Sequence, residues 1–509
     1  MNKLKSEESR WTTCSQCLGR GKKSKRLRKK VRLAYQRALE AFEKSNHEGT
    51  APARPKAHLD NCSQCNGCGL QPVTADNSSD SSADCEHYPH VAIIGGGIGG
   101  VALAVACSHR GIPFTLYERD SRFGARSQGY GLTLQQASRA IEGLGIFSLA
   151  EGVVSTRHVV HNTEGKMIGE WGIRKWCAGK SESDNRAAPK RTNIHISRQL
   201  LRLAMIEQLG GHDKITWGHQ LVDFKVADAS ATEGKGVELT FQIDGEIKTA
   251  HADLVVGADG IRSTVRRLLI GEEASPLRYL DCIVILGICP LAAIESENET
   301  LLDSATVFQT ANGNERIYIM PYTTDSVMWQ LSFPMAEEDA KALSAKGPEA
   351  LKEEALKRCQ WHDPIPQILS VTQATEVSGY PVYDRASLTP ELLQQGKQVT
   401  LIGDAAHPMS PFKGQGANQG LLDALALARG ITMHCRPQSN WRDAGIRERV
   451  LNETEAEMLE RSAKKAKESA EAAEFLHSDV VLHESNEPRG RYLKGQDSKA
   501  LDDRDNTDA

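Results

Sequence analysis

Residues 90–120, HVAIIGGGIGGVALAVACSHRGIPFTLYERD, constrain the fold of this chain more than any other stretch. Val91 to Ile94 form a short continuous apolar run, the pattern of a strand buried on both faces. Gly95, Gly97 and Gly100 follow in G-x-G-x-x-G spacing. An apolar helical segment comes next, and a second strand, Phe114 to Tyr117, ends at Glu118, 23 residues after the first glycine. Each part has a physical reason. Gly95 permits a tight turn, Gly97 lets the backbone approach a pyrophosphate, and Gly100 lets helix and strand pack closely. Amide N–H groups at the helix start face phosphates, and a carboxylate at Glu118 can accept hydrogen bonds from ribose hydroxyls. Glycines alone would be ordinary turn residues. In this strand–turn–helix–strand–Glu order they predict a dinucleotide site.

Two further strand ends carry turns of the same kind. In DLVVGADGIRSTVR (253–266) a strand runs into Gly257-Ala258-Asp259-Gly260 and then a helix. In VTLIGDAAHPMSPFKGQGANQGLLDA (399–424) a strand ends at Gly403-Asp404. A loop with Pro408 and Pro411 follows, and Gly414 to Asn418 opens another helix. Each residue also has a plainer role. Asp259 would serve as a helix cap, and Arg198 would be an ordinary surface arginine. His407 reads as a structural or hydrogen-bonding group ahead of a general base.

The three motifs, in this order, resemble the single-component flavoprotein aromatic hydroxylases of the para-hydroxybenzoate hydroxylase fold, over residues 89 to about 435. Their wording is also similar to that of the tetracycline-inactivating monooxygenases. The resemblance implies an α/β fold: a Rossmann-like FAD-binding domain interleaved with a β-rich substrate domain, followed by C-terminal helices. It implies FAD as cofactor and NADPH or NADH as co-substrate. Gly95, Gly97 and Gly100 then sit at the FAD pyrophosphate, with Glu118 and Arg119 at the adenosine ribose. Arg198 reaches the FAD from a helix start, and Arg126 and Gln128 lie near the flavin. Asp259 belongs to the motif tied to FAD and NAD(P)H. Asp404 holds the ribityl–pyrophosphate side, and Pro411, Gly414, Gly416, Ala417 and Asn418 lie beside the isoalloxazine. A helix starting near Gly416 would aim its N–H groups at the flavin edge that becomes negative on reduction.

The sequence between the motifs is β-rich, as in Gly236–Ile243, Thr306–Thr310, Arg316–Tyr322 and Ser326–Phe333. In the family such segments roof the flavin, here over about 160–190 and 275–380. Phe308, Met320, Trp329 and Phe412 are candidate wall residues, although plain core packing is the stronger reading for each. No Ser-His-Asp set and no H-E-x-x-H stands out, so no catalytic side chain is named. The resemblance implies that NAD(P)H and O2 drive hydroxylation of a small aromatic or polycyclic substrate through a flavin C4a-hydroperoxide. The alternatives are a flavin halogenase or other FAD oxidoreductase, or a zinc-mediated interaction protein with a vestigial flavin domain. WGIRKW at 171–176 does not match the W-x-W-x-I-P segment of halogenases.

Ahead of all this, Cys14-Ser-Gln-Cys17-Leu-Gly-Arg-Gly21 and Cys62-Ser-Gln-Cys65-Asn-Gly-Cys68-Gly69 repeat a C-x-x-C-x-G-x-G pattern. Cys14, Cys17, Cys62 and Cys65 would supply the four thiolates of one structural Zn²⁺, ahead of redox thiols or unligated cysteines, and Cys68 is a spare. The units resemble the zinc repeats of DnaJ-type co-chaperones, which have four such units where this chain has two. Residues 1–60 carry 16 Lys/Arg against 6 Asp/Glu, while the whole chain has a net charge of −4. A basic appendage on an acidic body suggests a solvated helix bridging the knuckles, or a docking surface for an acidic protein or RNA. The expected divisions are a zinc module at 1–70, a flexible linker at 71–88, the monooxygenase at 89–435, helices at 436–485 and a polar tail at 486–509. No run of eighteen apolar residues and no apolar signal core appear, so a cytoplasmic protein outside the membrane is expected.

Overall fold

The computed structural model describes residues 11–45, 52, 55, 59–73, 83–125, 130–174, 193–227, 236–295, 300–435 and 439–488, in two units, one built from residues 1–83 and one holding almost all of 84–509.

In the small unit, strand Trp11–Thr13 pairs antiparallel with Leu70–Pro72, and Lys22–Ser24 with Leu59–Asn61. The two C-x-x-C-x-G-x-G segments thus meet face to face. Their glycines are needed there: Gly21 and Gly69 have positive φ, and a Cβ on Gly21 would lie 2.1 Å from the carbonyl oxygen of Gly67. The helix expected over the basic stretch is Lys29–Lys44, and none of its residues is buried. The expected linker is narrower at both ends. Gln71 and Pro72 belong to a strand of the small unit, and Tyr88 packs on the core of the large one. Residues 74–82 lie outside the described set, as does most of the tail, 489–509.

The large unit contains a five-stranded parallel sheet in the order Ile215–Thr216, Phe114–Tyr117, Val91–Ile94, Leu254–Gly257, Val399–Leu401. The three strands that carry the motifs are neighbours, so their C-terminal turns open along one edge. Alternation of side chains explains why these strands are apolar throughout. Val91 and Ile93 pack on helices Ile98–Ser108 and Gly416–His434, while Ala92 and Ile94 pack on an antiparallel sheet of Gln220–Val226, Val237–Ile243 and Glu246–Ala252. The segment near 236–243 therefore does not help roof a flavin; it covers the back of the parallel sheet. Helix Ile98–Ser108 is apolar all round because it is wedged between elements, with nine of its residues buried.

A second sheet of seven strands runs Met167–Trp171, Arg157–His161, Thr306–Ala311, Arg316–Thr323, Ser326–Pro334, Leu277–Pro290, Val377–Arg385. Its pairs are antiparallel except Arg157–His161 with Thr306–Ala311. One face is apolar and covered by helices Glu337–Ala345, Pro348–Arg358 and Ile365–Val371. Period-two alternation sends Phe308, Ile317, Ile319, Trp329 and Leu331 to that face. The other face looks into a cavity of about 870 Å³. Helix Asn452–Phe475, followed by a short turn of helix at Asp479–Leu482, buries Met458 and Leu459 against the parallel-sheet side.

Candidate functional site

The cavity lies between the motif turns, which form its floor, and the seven-stranded sheet, which forms its roof. On the floor the three glycines divide the labour. Gly95 has φ +109°, and a Cβ there would sit 2.5 Å from the oxygen of Ala258; at Gly100 it would sit 1.9 Å from the oxygen of Gly95. At Gly97 the nearest atom would be Arg198 Nη2 at 3.6 Å. Gly95 and Gly100 are glycine because other atoms of the chain fill the space, whereas Gly97 leaves an opening on the cavity. Glu118 is buried, and its carboxylate accepts from Gly96 N at 2.7 Å and Asp120 N at 2.9 Å, which fixes the glycine turn to the end of the second strand. Arg119 is exposed.

Arg198 opens helix Arg198–Gln208, whose start is capped by Ser197 Oγ accepting from Leu200 N at 3.0 Å. Its guanidinium lies 5.5 Å from the Tyr130 ring centroid and borders the cavity. Arg126 and Gln128 lie outside the described residues. Asp259 fills the capping role. Its carboxylate accepts from Ser263 Oγ, from Thr264 N at 2.7 Å and from Val265 N at 3.2 Å. Those bonds turn it back on its own helix. The cavity is bordered there by Ala258, Gly260 and Arg262.

Asp404 keeps accessible surface on the cavity and is enclosed by protein on its other sides. Burial therefore raises its carboxyl above the usual range, against the lowering pull of His407 and Arg198. Behind it His407 Nε2 meets Asp423 Oδ2 at 2.7 Å. Asp423 also accepts from Gly403 N at 2.9 Å and from Arg461 Nη2 at 2.7 Å. Burial alone would push the Asp423 carboxyl up, but His407 and Arg461 outweigh it and hold it below the usual range. His407 is thus a structural partner of Asp423 and lies away from the cavity wall.

The last motif ends in a short turn, Pro411–Lys413, then Gly414 with φ +57°, then helix Gly416–His434. Pro411, Gly414, Gly416 and Ala417 line the cavity, and the helix starts there with its N–H groups unsatisfied by any earlier turn. Asn418 is spent on the fold: Oδ1 accepts from Gln135 N (2.8 Å) and Ala137 N (3.1 Å), and Nδ2 donates to the oxygens of Thr133 and Gly414 (2.9 Å each). It ties the helix start to strand Gly131–Leu134 and the turn after it. Of the four candidate wall residues, Met320 and Phe412 line the cavity. Phe308 and Trp329 do not; both are fully buried on the helix-covered face, and Trp329 Nε1 donates to Thr372 Oγ1 at 3.0 Å. Their neighbours one position along, Gln309, Met328 and Gln330, face the cavity with Arg316 and Tyr318.

In the small unit the sulfurs of Cys14, Cys17, Cys62 and Cys65 lie within 4.8 Å of one another and all four residues are buried. Cys14–Cys62 is 3.9 Å and Cys17–Cys65 3.6 Å. Zn–S bonds of about 2.3 Å in a tetrahedron put sulfurs about 3.8 Å apart, so the donor set fits. Gly21 N and Gly69 N each donate to a sulfur at 3.2 Å, which suits thiolates. Cys68 stands aside, donating to Leu70 O at 3.3 Å.

A parallel sheet with three phosphate-type turns, facing an antiparallel roof across one chamber, defines an FAD-dependent oxygenase architecture. The FAD binding domain family matches residues 88–443, and the chain belongs to that family. It is 30% identical to the aurachin C monooxygenase/isomerase of Stigmatella aurantiaca over 346 residues, 67% of this chain and 80% of that one. Its fold is similar to that of Klebsiella pneumoniae HpxO complexed with FAD and uric acid, with a TM-score of 0.61 and 19% identity over 80% of this chain and 92% of that one. The tetracycline destructase Tet(51) gives a TM-score of 0.53 and 19% identity over 77% of this chain and 93% of that one. The cofactor side is thus FAD, and the para-hydroxybenzoate hydroxylase-type fold holds. Among the described residues no helix is long and apolar enough to cross a membrane.

Proposed function

We propose that the protein is an FAD-dependent monooxygenase that uses NAD(P)H and O2 to hydroxylate a small aromatic or polycyclic compound. One observation carries this: the turn glycines and the roof side chains border a single chamber of about 870 Å³, large enough for a drug-sized ligand beside the floor. Bound FAD would supply the redox and oxygen chemistry; this chain's residues orient and enclose. Gly97 leaves room for the pyrophosphate, and Glu118, with Arg119 beside it, closes the adenosine end. Arg198 and Asp404 flank the middle. Pro411, Gly414, Gly416 and Ala417 bring the helix N-terminus against the isoalloxazine edge. Asp259 and Asn418 hold the turns in place without touching the cofactor. The apolar rows of the roof exclude water. Purified full-length protein carrying FAD should oxidise NADPH in air, and an aromatic substrate should speed that oxidation and gain one oxygen atom. Flavin-loaded protein that no aromatic or polycyclic compound stimulates would overturn the proposal.

The small unit, at residues 1–70 in this reading, would hold one structural zinc on Cys14, Cys17, Cys62 and Cys65, checked by one zinc per chain in elemental analysis. Its helix Lys29–Lys44 has no buried residue, which supports docking of an acidic protein or RNA, a contact that added salt should weaken. The eleven described cysteines, the four zinc ligands of this reading among them, form no disulfide with one another, which supports a reducing, cytoplasmic location.

A further inference from the structure

Arg316 is the roof residue whose surroundings are electrically incomplete. It is only 5% exposed. Its Nε donates to Gln309 Oε1 at 2.8 Å, and its guanidinium carbon lies 5.0 Å from the Tyr318 ring centroid. Among the described residues no carboxylate comes within 4.0 Å of it. Other buried arginines are served differently. Arg447 holds Glu455 at 2.7 Å, Arg385 holds Glu272 at 2.8 Å, and Arg266 donates to Ala405 O at 3.1 Å. The two terminal nitrogens of Arg316 have no hydrogen-bond partner among the described residues, yet are not among the atoms sealed from solvent. Since the residue lines the cavity, that remaining surface faces the cavity.

The groups around it are neutral. Burial pushes the Tyr318 hydroxyl up to about 12, so it stays protonated. Burial holds His477 down to about 4, with the charge of Arg316 adding to the effect, so it stays uncharged at neutral pH. Gln309, Gln330 and Ser332 carry no charge. A guanidinium taken out of bulk water beside neutral groups calls for an anionic partner. The register supplies the rest of the shape. Arg316 is opposite Ser332; one row along, Gln309, Tyr318 and Gln330 align; the next row is apolar, with Met320 opposite Met328. The roof thus grades from cationic through polar to apolar across three strands.

We infer that Arg316 receives an anionic oxygen of the substrate, so that the site selects aromatic compounds bearing an ionised carboxylate, phenolate or enolate over their neutral counterparts. This rests on the monooxygenase reading and adds the chemical class of its substrate.

The test uses the full-length, FAD-loaded protein and two matched pairs of probes, naphthoate with naphthamide and nitrophenolate with nitroanisole. Binding is read from the change each probe causes in the flavin absorbance spectrum. In at least one pair the acid should bind about tenfold or more tightly than the neutral compound, as a charge-assisted hydrogen bond implies, and the pair that responds tells carboxylate from phenolate. Arg316→Met should remove that preference and leave the neutral probe within about twofold, the change expected of an altered charge with the packing kept. Arg316→Lys, which keeps the charge and serves if the Met variant fails to fold, should retain part of it. Equal binding within both pairs, or a preference that survives Arg316→Met, overturns the inference. Flavin content is measured on the same samples. A chain that holds no flavin brings down the monooxygenase reading and this inference with it, whereas a flavin-bearing chain blind to charge brings down this inference alone.

Discussion

The floor and the roof of the cavity are built by different means. On the floor the main chain sets the shape: Gly95 and Gly100 exclude any side chain, Gly97 keeps an opening, and two helices begin at the wall. On the roof the backbone is an ordinary sheet, and side chains on alternate positions decide what the cavity meets. A floor of this kind tolerates almost no change and suits one invariant ligand. A roof of this kind can be rewritten residue by residue while the sheet stands.

That contrast can be broken most forcefully at Gly100. Gly100→Val puts a branched side chain where even a Cβ would lie 1.9 Å from the oxygen of Gly95, so flavin content of the purified protein should fall to near zero. A yellow Gly100→Val protein would mean the floor is not backbone-limited. Asp423 comes next. Asp423→Leu strands the buried His407 and the Arg461 guanidinium, and removing one member of such a buried pair costs about 3–5 kcal/mol, read as a lower denaturation midpoint and faster flavin loss.

Acid should act at His195, on strand Ile194–Ser197 at the cavity wall. His195 is fully buried, and burial holds it down to about 3. Its folded value lies below the ordinary 6.5, so the unfolded chain takes the proton first. Stability is therefore full above about pH 6.5 and falls as the pH drops toward the folded value, by about 2 kcal/mol at pH 5 from this residue. Melting temperatures at pH 7 and pH 5 check this, and His195→Gln should shrink the difference by that amount, the rest coming from other buried histidines such as His109 and His477. On the roof, Gln330→Ala should change substrate-stimulated NADPH oxidation by about tenfold, the effect of one lost hydrogen bond to substrate, with flavin content unaltered. Smallest of all, Arg119→Ala on the exposed floor edge should shift FAD affinity by less than about 0.5 kcal/mol, as surface changes usually do.

The same contrast explains what the sequence disclosed. Turns that require glycine leave a glycine in a fixed spacing, so Gly95, Gly100 and Gly414 could be picked out from the letters, with Gly97 and Gly416 beside them, as could the paired cysteine knuckles. Side chains whose task depends on a distant partner could not. Asp259 and Asn418 sit in the right motifs, but only the structure shows that Asp259 accepts three bonds from its own helix start and that Asn418 makes all four of its bonds inside the fold. Asp423 lies in the quoted GLLDA segment without any local sign that Arg461, 38 residues on, completes it. For the roof, the apolar bulk of Phe308 and Trp329 drew attention while the signal lay in their polar neighbours. Gln309, Arg316, Tyr318 and Gln330 interrupt apolar strands at every second position, and that parity marks the face turned away from the core.

The most direct test of the account is the flavin content of the full-length chain as purified. Close to one FAD per polypeptide, with a flavin absorbance spectrum and a melting temperature that drops when the flavin is stripped and recovers when it is restored, is the result the floor geometry predicts. A colourless protein whose melting temperature ignores added FAD would contradict it.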